Sequence, residues 1–88
     1  MKIKKGFVLE KVGDSYLACA TGKLAREFSA YIRLNETGAY LWELLSKKDL
    51  TEEDLVKNIT EEYDISEELA SADVKAFAAK LKDAGIVE

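Results

Sequence analysis

The residues of this chain that could do chemistry are one cysteine and several groups of carboxylates, and histidine is absent. Without histidine, and with Cys19 as its single thiol, the sequence offers no His-dependent catalytic triad, no Cys/His zinc site and no internal disulfide. Cys19 lies in a predicted strand, where a small buried hydrophobic residue is its expected role. The sequence therefore predicts a protein that is not an enzyme and that uses no metal or other cofactor.

The carboxylates form two groups, residues 52–54 and the pair Glu61 and Glu62. Acid–base catalysis by two carboxyl groups needs an apolar pocket that separates their pKa values. Here the first group falls at a predicted helix start, and the second lies on the outer side of the same helix. We therefore interpret both groups as a solvated surface.

Length and charge set further limits. The 88 residues fit one small domain, residues 1–88. No apolar run reaches the ~18 residues of a membrane-spanning helix. Residues 1–6 lack the apolar stretch of a signal peptide, so we expect a cytoplasmic protein. The net charge of -4 combines a basic first part with an acidic remainder: residues 1–34 carry seven Lys/Arg against three Asp/Glu, and residues 35–88 carry six against fourteen.

The first third of the chain has the pattern of β-strands. Phe7 to Val12 and Ser15 to Ala20 flank Gly13-Asp14, where a leading glycine suits a type II′ hairpin turn. The clearest strand runs from Phe28 to Leu34, because apolar and polar residues alternate along it with a period of two. Its apolar set is Phe28, Ala30, Ile32 and Leu34, and its polar set is Ser29, Tyr31 and Arg33.

A predominantly apolar helix is predicted directly after this strand. Asn35 can cap it, and residues 36–46 are apolar almost all round, so the helix belongs in the middle of the domain. Trp42 is its expected core anchor.

Two further helices complete the predicted fold. Thr51 and Asp54 form a capping box at the start of the second. The third covers about eighteen residues after Ser66 and ends at Gly85. The sequence thus predicts an α+β domain in which a three-stranded antiparallel sheet is followed by three helices.

Two surfaces could bind a partner. The strand from Phe28 to Leu34 is either an internal strand or an open sheet edge with unpaired backbone groups. The third helix carries, beside its core stripe, a second stripe of mainly small residues with charged neighbours. That stripe reflects either helix propensity alone or a shallow channel that accepts the side chains of an added peptide strand. Its members are Leu69, Ala72, Ala76 and Ala79, flanked by Asp73, Lys80 and Asp83.

The central segment from Leu34 to Leu45 resembles the motif of the PqqD-like family, an Asn-Glu-Thr followed by a Trp-containing apolar helix. The flanks agree with it: a Gly-Phe-Val-Leu opening strand, then Glu-Glu-Tyr-Asp and a terminal Leu-Lys-x-x-Gly-Ile-Val. The resemblance covers nearly the whole chain. It implies a winged-helix-like fold, also called the RiPP precursor recognition element.

The same resemblance implies a function. Such domains bind the leader region of a ribosomally made precursor peptide as an added strand and present it to a modifying enzyme, often a radical SAM protein. The implied partners are therefore a precursor peptide and that enzyme, with no nucleic acid and no membrane. The implied peptide-binding residues are Ser29, Ala30, Tyr31, Ile32 and Arg33 on the third strand, and Asp73, Ala76, Phe77 and Lys80 on the third helix.

A DNA-binding winged-helix regulator is the alternative, since the architecture overlaps. DNA binding needs Lys and Arg directed at phosphates. The candidate recognition helix instead mixes four carboxylates with three lysines, and the second helix is strongly acidic. We therefore favour peptide binding over DNA binding.

Overall fold

The computed structural model describes residues 1–22 and 31–87. Within them an antiparallel sheet in the order β1-β2-β3 is followed by three helices. The strands are β1 (Phe7–Val12), β2 (Ser15–Ala20) and β3 (Ile32–Leu34), and the helices are α1 (Glu36–Lys47), α2 (Glu52–Glu62) and α3 (Glu67–Asp83). The predicted α+β class, with three strands before three helices, is confirmed.

The hairpin of β1 and β2 follows from its turn. Gly13 has a φ of +63°, whereas no residue other than glycine has a positive φ in the described part of the chain. Asp14 therefore has a negative φ, which excludes a type I′ turn and agrees with the predicted type II′ turn. The resulting register pairs Val12 with Ser15 and Phe7 with Ala20.

β3 is shorter than predicted within the described residues. The ladder between β2 and β3 spans three residue pairs, from Ala18–Ile32 to Tyr16–Leu34, so Tyr31 precedes the paired segment. The predicted strand positions 28–30 lie outside the described residues. The predicted alternation holds for the three paired residues, since Leu34 is buried, Ile32 is half-buried and Arg33 is exposed.

Each helix begins at a side chain that accepts a backbone hydrogen bond. The Asn35 Oδ1 accepts from the Gly38 backbone N–H at 2.8 Å, and the Ser66 hydroxyl accepts from the Leu69 N–H at 3.2 Å. At α2 the predicted capping box is present, because Thr51 and Asp54 each accept from the other's backbone N–H at 3.1 Å.

α3 ends in a Schellman motif. The Ile86 N–H donates to the Leu81 carbonyl at 2.9 Å, and the Gly85 N–H donates to the Lys82 carbonyl at 3.0 Å. Gly85 has a φ of +72°, the left-handed conformation that this motif requires of its glycine. The reversal brings Val87 into an antiparallel bridge with Ile3, so the two chain ends meet beside the sheet.

The core lies between the sheet and the helices, and α1 runs through its middle. Leu41, Trp42 and Leu45 of α1 are all buried, as predicted for a helix that is apolar almost all round. α3 contributes five buried side chains, Ala70, Val74, Phe77, Ala78 and Leu81. α3 is therefore fixed against the core along one face.

Candidate functional site

A groove of about 430 Å³ lies between β3 and α3. Its walls come from the hairpin turn, from the end of β3, from the start of α1 and from one face of α3. The lining residues are Asp14, Ser15, Arg33, Leu34, Asn35, Thr37, Gly38, Leu41, Asp73, Ala76, Phe77 and Lys80. Five of the nine predicted peptide-binding residues are thus brought together in one depression.

The α3 wall is built by helical spacing. Asp73, Ala76, Phe77 and Lys80 stand at intervals of three, four and seven residues, which places them on one face of the helix. Phe77 is 4% exposed and belongs to the core, whereas Ala76 and Lys80 are exposed. This wall is therefore apolar in its middle, with a carboxylate near one end and an amine near the other.

Small size at Ala76 keeps the groove open, since its methyl group fills little of the space beside α3. Helical spacing also predicted Ala79 in the channel, but Ala79 does not line the groove. One hundred degrees of rotation per residue turns Ala79 away from Asp73 and Phe77, toward solvent. The channel lies on the Phe77 side of Ala76, which makes Ala79 a natural reference position.

The β3 wall is a sheet edge. In the described part of the chain β3 pairs only with β2, so its other side presents backbone N–H and C=O groups. Leu34 is buried and lines the groove, while Arg33 is exposed and lies opposite Leu17 of β2. Of the two readings of this strand, internal or edge, the described residues favour the edge.

The remaining predicted residues lie away from the groove lining. Ile32 is half-buried against the core, and Tyr31 is 60% exposed just before β3. Ser29 and Ala30 lie outside the described residues. The assignment of Tyr31, Ile32, Ser29 and Ala30 to peptide binding therefore stays a prediction.

The junction of β3 and α1 supplies groove residues that the sequence pattern did not mark as site residues. The chain turns from strand to helix at Asn35, and Gly38 follows in the first helical turn. A Cβ at Gly38 would lie 3.2 Å from both the Leu34 Cβ and the Asn35 Oδ1, so glycine allows the close approach of helix and strand. The Asn35 cap and the early glycine were visible in the sequence, but neither feature indicated that Leu41 would form the floor.

The rim of the groove carries charges of both signs. Arg33 and Lys80 are basic, whereas Asp14 and Asp73 are acidic. Among residues 1–22 and 31–87, no salt bridge joins any of these four side chains to a partner. The rim charges are therefore available to a charged ligand.

Two carboxylates of the group at residues 52–54 interact with other parts of the chain. The hydrogen bond from the Thr51 N–H lowers the pKa of Asp54 below its ordinary value, with a smaller effect from the Thr51 hydroxyl side chain. Glu52 lies 3.7 Å from the Lys82 amine. In the segments that the structure describes, no group of three or more His, Cys, Asp or Glu residues could hold a metal ion. The absence of a cofactor remains a prediction.

Two tyrosines, Tyr40 of α1 and Tyr63 at the end of α2, form a half-buried pair outside the groove lining. The rings of Tyr40 and Tyr63 meet edge to face with centroids 5.6 Å apart. Burial raises the pKa of both hydroxyls, and the nearby Glu62 carboxylate adds to the effect in each case. Cys19 is a free, half-buried thiol on β2, less buried than the sequence predicted. None of these groups faces the groove.

The groove combines an apolar floor, a charged rim and an open strand edge. An added peptide strand uses such an edge for main-chain hydrogen bonds and such a floor for alternate side chains. No helix among the described residues is long and apolar enough to cross a membrane.

Comparisons with known proteins agree with this architecture. The structure of TbiB1 in complex with the TbiA(beta) leader peptide is similar with a TM-score of 0.75 and 23% sequence identity, over 100% of this chain and 95% of that chain. The lasso peptide synthetase B1 complexed with its leader peptide matches with a TM-score of 0.72 and 20% identity, over 99% and 95%. These identities show a shared fold. No curated protein gives a significant match.

The comparison with protein-family models identifies a family as well as a fold. Residues 14–87 match the family model of coenzyme PQQ synthesis protein D (PqqD). That range includes β2, β3, all three helices and every residue that lines the groove. The chain therefore belongs to the PqqD family.

Proposed function

We propose that this protein binds the leader region of a ribosomally made precursor peptide in the groove between β3 and α3. It is a non-catalytic peptide chaperone, in which the leader adds as a strand to the edge of β3. The observation that carries this proposal is the groove itself, where the edge of β3, unpaired within the part of the chain that the structure describes, faces an apolar floor bounded by Ala76, Phe77 and Leu41.

The dimensions of the groove suit an extended peptide. A volume of about 430 Å³ is at the lower end of the range of small-molecule pockets, about 300–1,000 Å³, so it holds a few side chains rather than a folded partner. Binding a disordered peptide costs ordering entropy, and main-chain hydrogen bonds alone offset little of it. The apolar floor must therefore supply one or two anchored side chains.

The comparisons support the proposal at the level of the fold. Both similar solved structures hold a leader peptide, and both align with essentially the whole of this chain. The site residues in this chain are Arg33 on β3 and Asp73, Ala76, Phe77 and Lys80 on α3, with the predicted Ser29, Ala30, Tyr31 and Ile32 extending the strand side.

We further propose that the bound leader is presented to a peptide-modifying enzyme, a radical SAM protein. The chain itself offers no catalytic constellation, because it has no histidine and one half-buried thiol. Its work therefore depends on a second protein that carries the chemistry. The cytoplasmic location expected from the sequence is part of the same proposal.

Binding is tested with synthetic peptides that correspond to the short reading frames next to the gene. Each is titrated into isotope-labelled protein, and backbone NMR shifts locate the contact. We expect one peptide to shift the resonances of Arg33, Leu34 and the 73–80 segment of α3. Shifts confined to α2, or no saturable shift with any peptide, would contradict the proposal.

The enzyme partner is tested separately. The radical SAM protein encoded nearest the gene is mixed with the peptide, with and without this protein, and the modified peptide is measured by mass spectrometry. We expect modification to depend on this protein. Equal modification in its absence would refute the chaperone role and leave peptide binding as an independent result.

A further inference from the structure

Charges of opposite sign lie at the two ends of the α3 wall of the groove, and apolar surface lies between them. Asp73 and Lys80 are separated by seven positions, which is two helical turns or about 10.5 Å along the axis. They are too far apart to pair with each other. Neither forms a salt bridge with any other residue in the described ranges.

We propose that the groove selects peptides with a bipolar pattern: an acidic and a basic residue four positions apart, with an apolar residue midway between them. The acidic residue faces Lys80, the basic residue faces Asp73, and the apolar residue rests on Ala76 and Phe77. This inference rests on the proposed function, since it names the class of peptide that the same site accepts.

The geometry of an extended peptide sets this spacing. Side chains on one face of a strand recur every second residue, about 6.7 Å apart, so residues four positions apart are separated by about 13 Å. The two charged partners on α3 are about 10.5 Å apart, and a flexible lysine side chain accommodates the difference. A spacing of two positions leaves no inward side chain between the charges. The apolar surface of Ala76 and Phe77 would then stay uncovered.

Pairing with the β3 edge fixes the direction of the peptide, and the rim charges then select the order of the pattern. A peptide with the opposite order would place its carboxylate beside Asp73 and its amine beside Lys80, and like charges repel. Arg33 and Asp14 add one more charge of each sign to the rim. Since Lys80 is exposed and Asp73 is half-buried, each matched pair strengthens binding by only about two- to fivefold. The combined difference in affinity between the two orders of the pattern is about tenfold, and salt weakens it.

A display library of random peptides tests the pattern without knowledge of the natural ligand. The library is sorted against the wild-type protein and against a double variant, Asp73→Lys with Lys80→Asp, which keeps the net charge and exchanges the two ends. We expect wild-type binders enriched in the bipolar pattern in one order, and double-variant binders enriched in the opposite order. Binders with no charge pattern, or with the same order in both sorts, would overturn the proposal.

Single variants provide a second test in case the double variant does not fold. Lys80→Asp places a carboxylate in the last turn of α3, which is unfavourable to the helix, so circular dichroism is recorded for each protein. Should the double variant unfold, Lys80→Ala and Asp73→Ala replace it. Lys80→Ala should remove the enrichment of acidic residues alone, and Asp73→Ala that of basic residues alone. Unchanged enrichment in both single variants would refute the proposal.

The same library selection distinguishes a failure of this inference from a failure of the proposed function. Ala76→Glu blocks the groove and leaves Asp73 and Lys80 unsubstituted, although its carboxylate lies within reach of Lys80, so peptides that bind the groove should fail to bind this variant whatever their charge pattern. Groove-bound peptides without the bipolar pattern would refute the inference and leave the proposed function standing. If no peptide binds, or all binders tolerate Ala76→Glu, the proposed function itself fails.

Discussion

The substitution Ala76→Glu separates binding from folding more cleanly than any other change in the groove. Ala76 is exposed on α3 and lines the groove together with the buried Phe77. A glutamate there is four positions before Lys80, the favourable orientation for an ion pair on a helix, and three positions after Asp73, which it repels. These effects offset each other. With the small loss of helix propensity, we expect the free energy of unfolding to fall by no more than about 0.5 kcal/mol.

The effect on peptide binding should be much larger. The longer side chain occupies part of the 430 Å³ groove, and a bound peptide must desolvate its carboxylate. Leaving a polar group buried without a partner costs about 1–3 kcal/mol, and a charged group costs more. Because the site is partly open to solvent, we take the lower part of that range. The expected increase in Kd is about 5- to 30-fold.

The assay is fluorescence anisotropy with a labelled peptide that binds the wild-type protein. Ala79→Glu is the matched control, because it introduces the same charge on the same helix, at an exposed position outside the groove lining. We expect the control to bind within about twofold of wild type, since surface charge changes contribute little. Equal affinities for both variants, with native spectra for both, would show that the peptide does not enter this groove.

Further predictions concern the helix caps, pH and DNA. Thr51→Ala removes the acceptor of the Asp54 N–H, and we expect urea denaturation to show a loss of about 1 kcal/mol; a loss near zero would contradict the capping role. The pKa of Asp54 is lowered in the folded state, so its contribution to stability is present above its unfolded pKa and disappears as pH falls through the folded value. The stability difference between wild type and Asp54→Asn should therefore shrink in acid, and a difference that grows would oppose this assignment. Duplex DNA should bind weakly, without sequence preference and only at low salt, because α2 and α3 are rich in carboxylates; salt-resistant, sequence-selective binding in an anisotropy titration would favour the regulator alternative.

Local signals in the sequence accounted for most of the fold. The caps at Asn35, Thr51 and Ser66 and the terminator at Gly85 are short-range features, and each appears in the structure where the sequence placed it. The extent of β3 was harder to predict. Its alternating pattern begins at Phe28, but pairing is a property of two strands, and the described ladder with β2 covers Ile32 to Leu34.

The groove was predicted in part. Helical spacing placed Asp73, Ala76, Phe77 and Lys80 on one face, and the family resemblance pointed to that face. The floor and the far rim depend on tertiary packing, which brings Leu41 of α1 and Asp14 of the hairpin turn to the same depression. Residues so distant in sequence share no local pattern, so sequence reasoning missed them. The sequence pattern also predicted Ala79 in the channel. A stripe of small residues on a helix does not indicate which edge of the stripe faces a neighbouring element.

Neighbouring residues of α3 either pack in the core or line the groove, and this difference determines how substitutions affect stability and peptide binding. Phe77 belongs to the core and also closes the floor of the groove, so truncating it creates a cavity that costs about 3–5 kcal/mol and disturbs binding at the same time. Ala76 contacts the groove without supporting the core, and Lys80 and Asp73 act only at its rim. A binding loss at Phe77 therefore says little about peptide contact, whereas the same loss at Ala76 or Lys80 does. We therefore expect peptide specificity to change at the rim of the groove while the fold stays constant, because Asp73 and Lys80, which we propose to select the peptide, are not among the buried residues of the core.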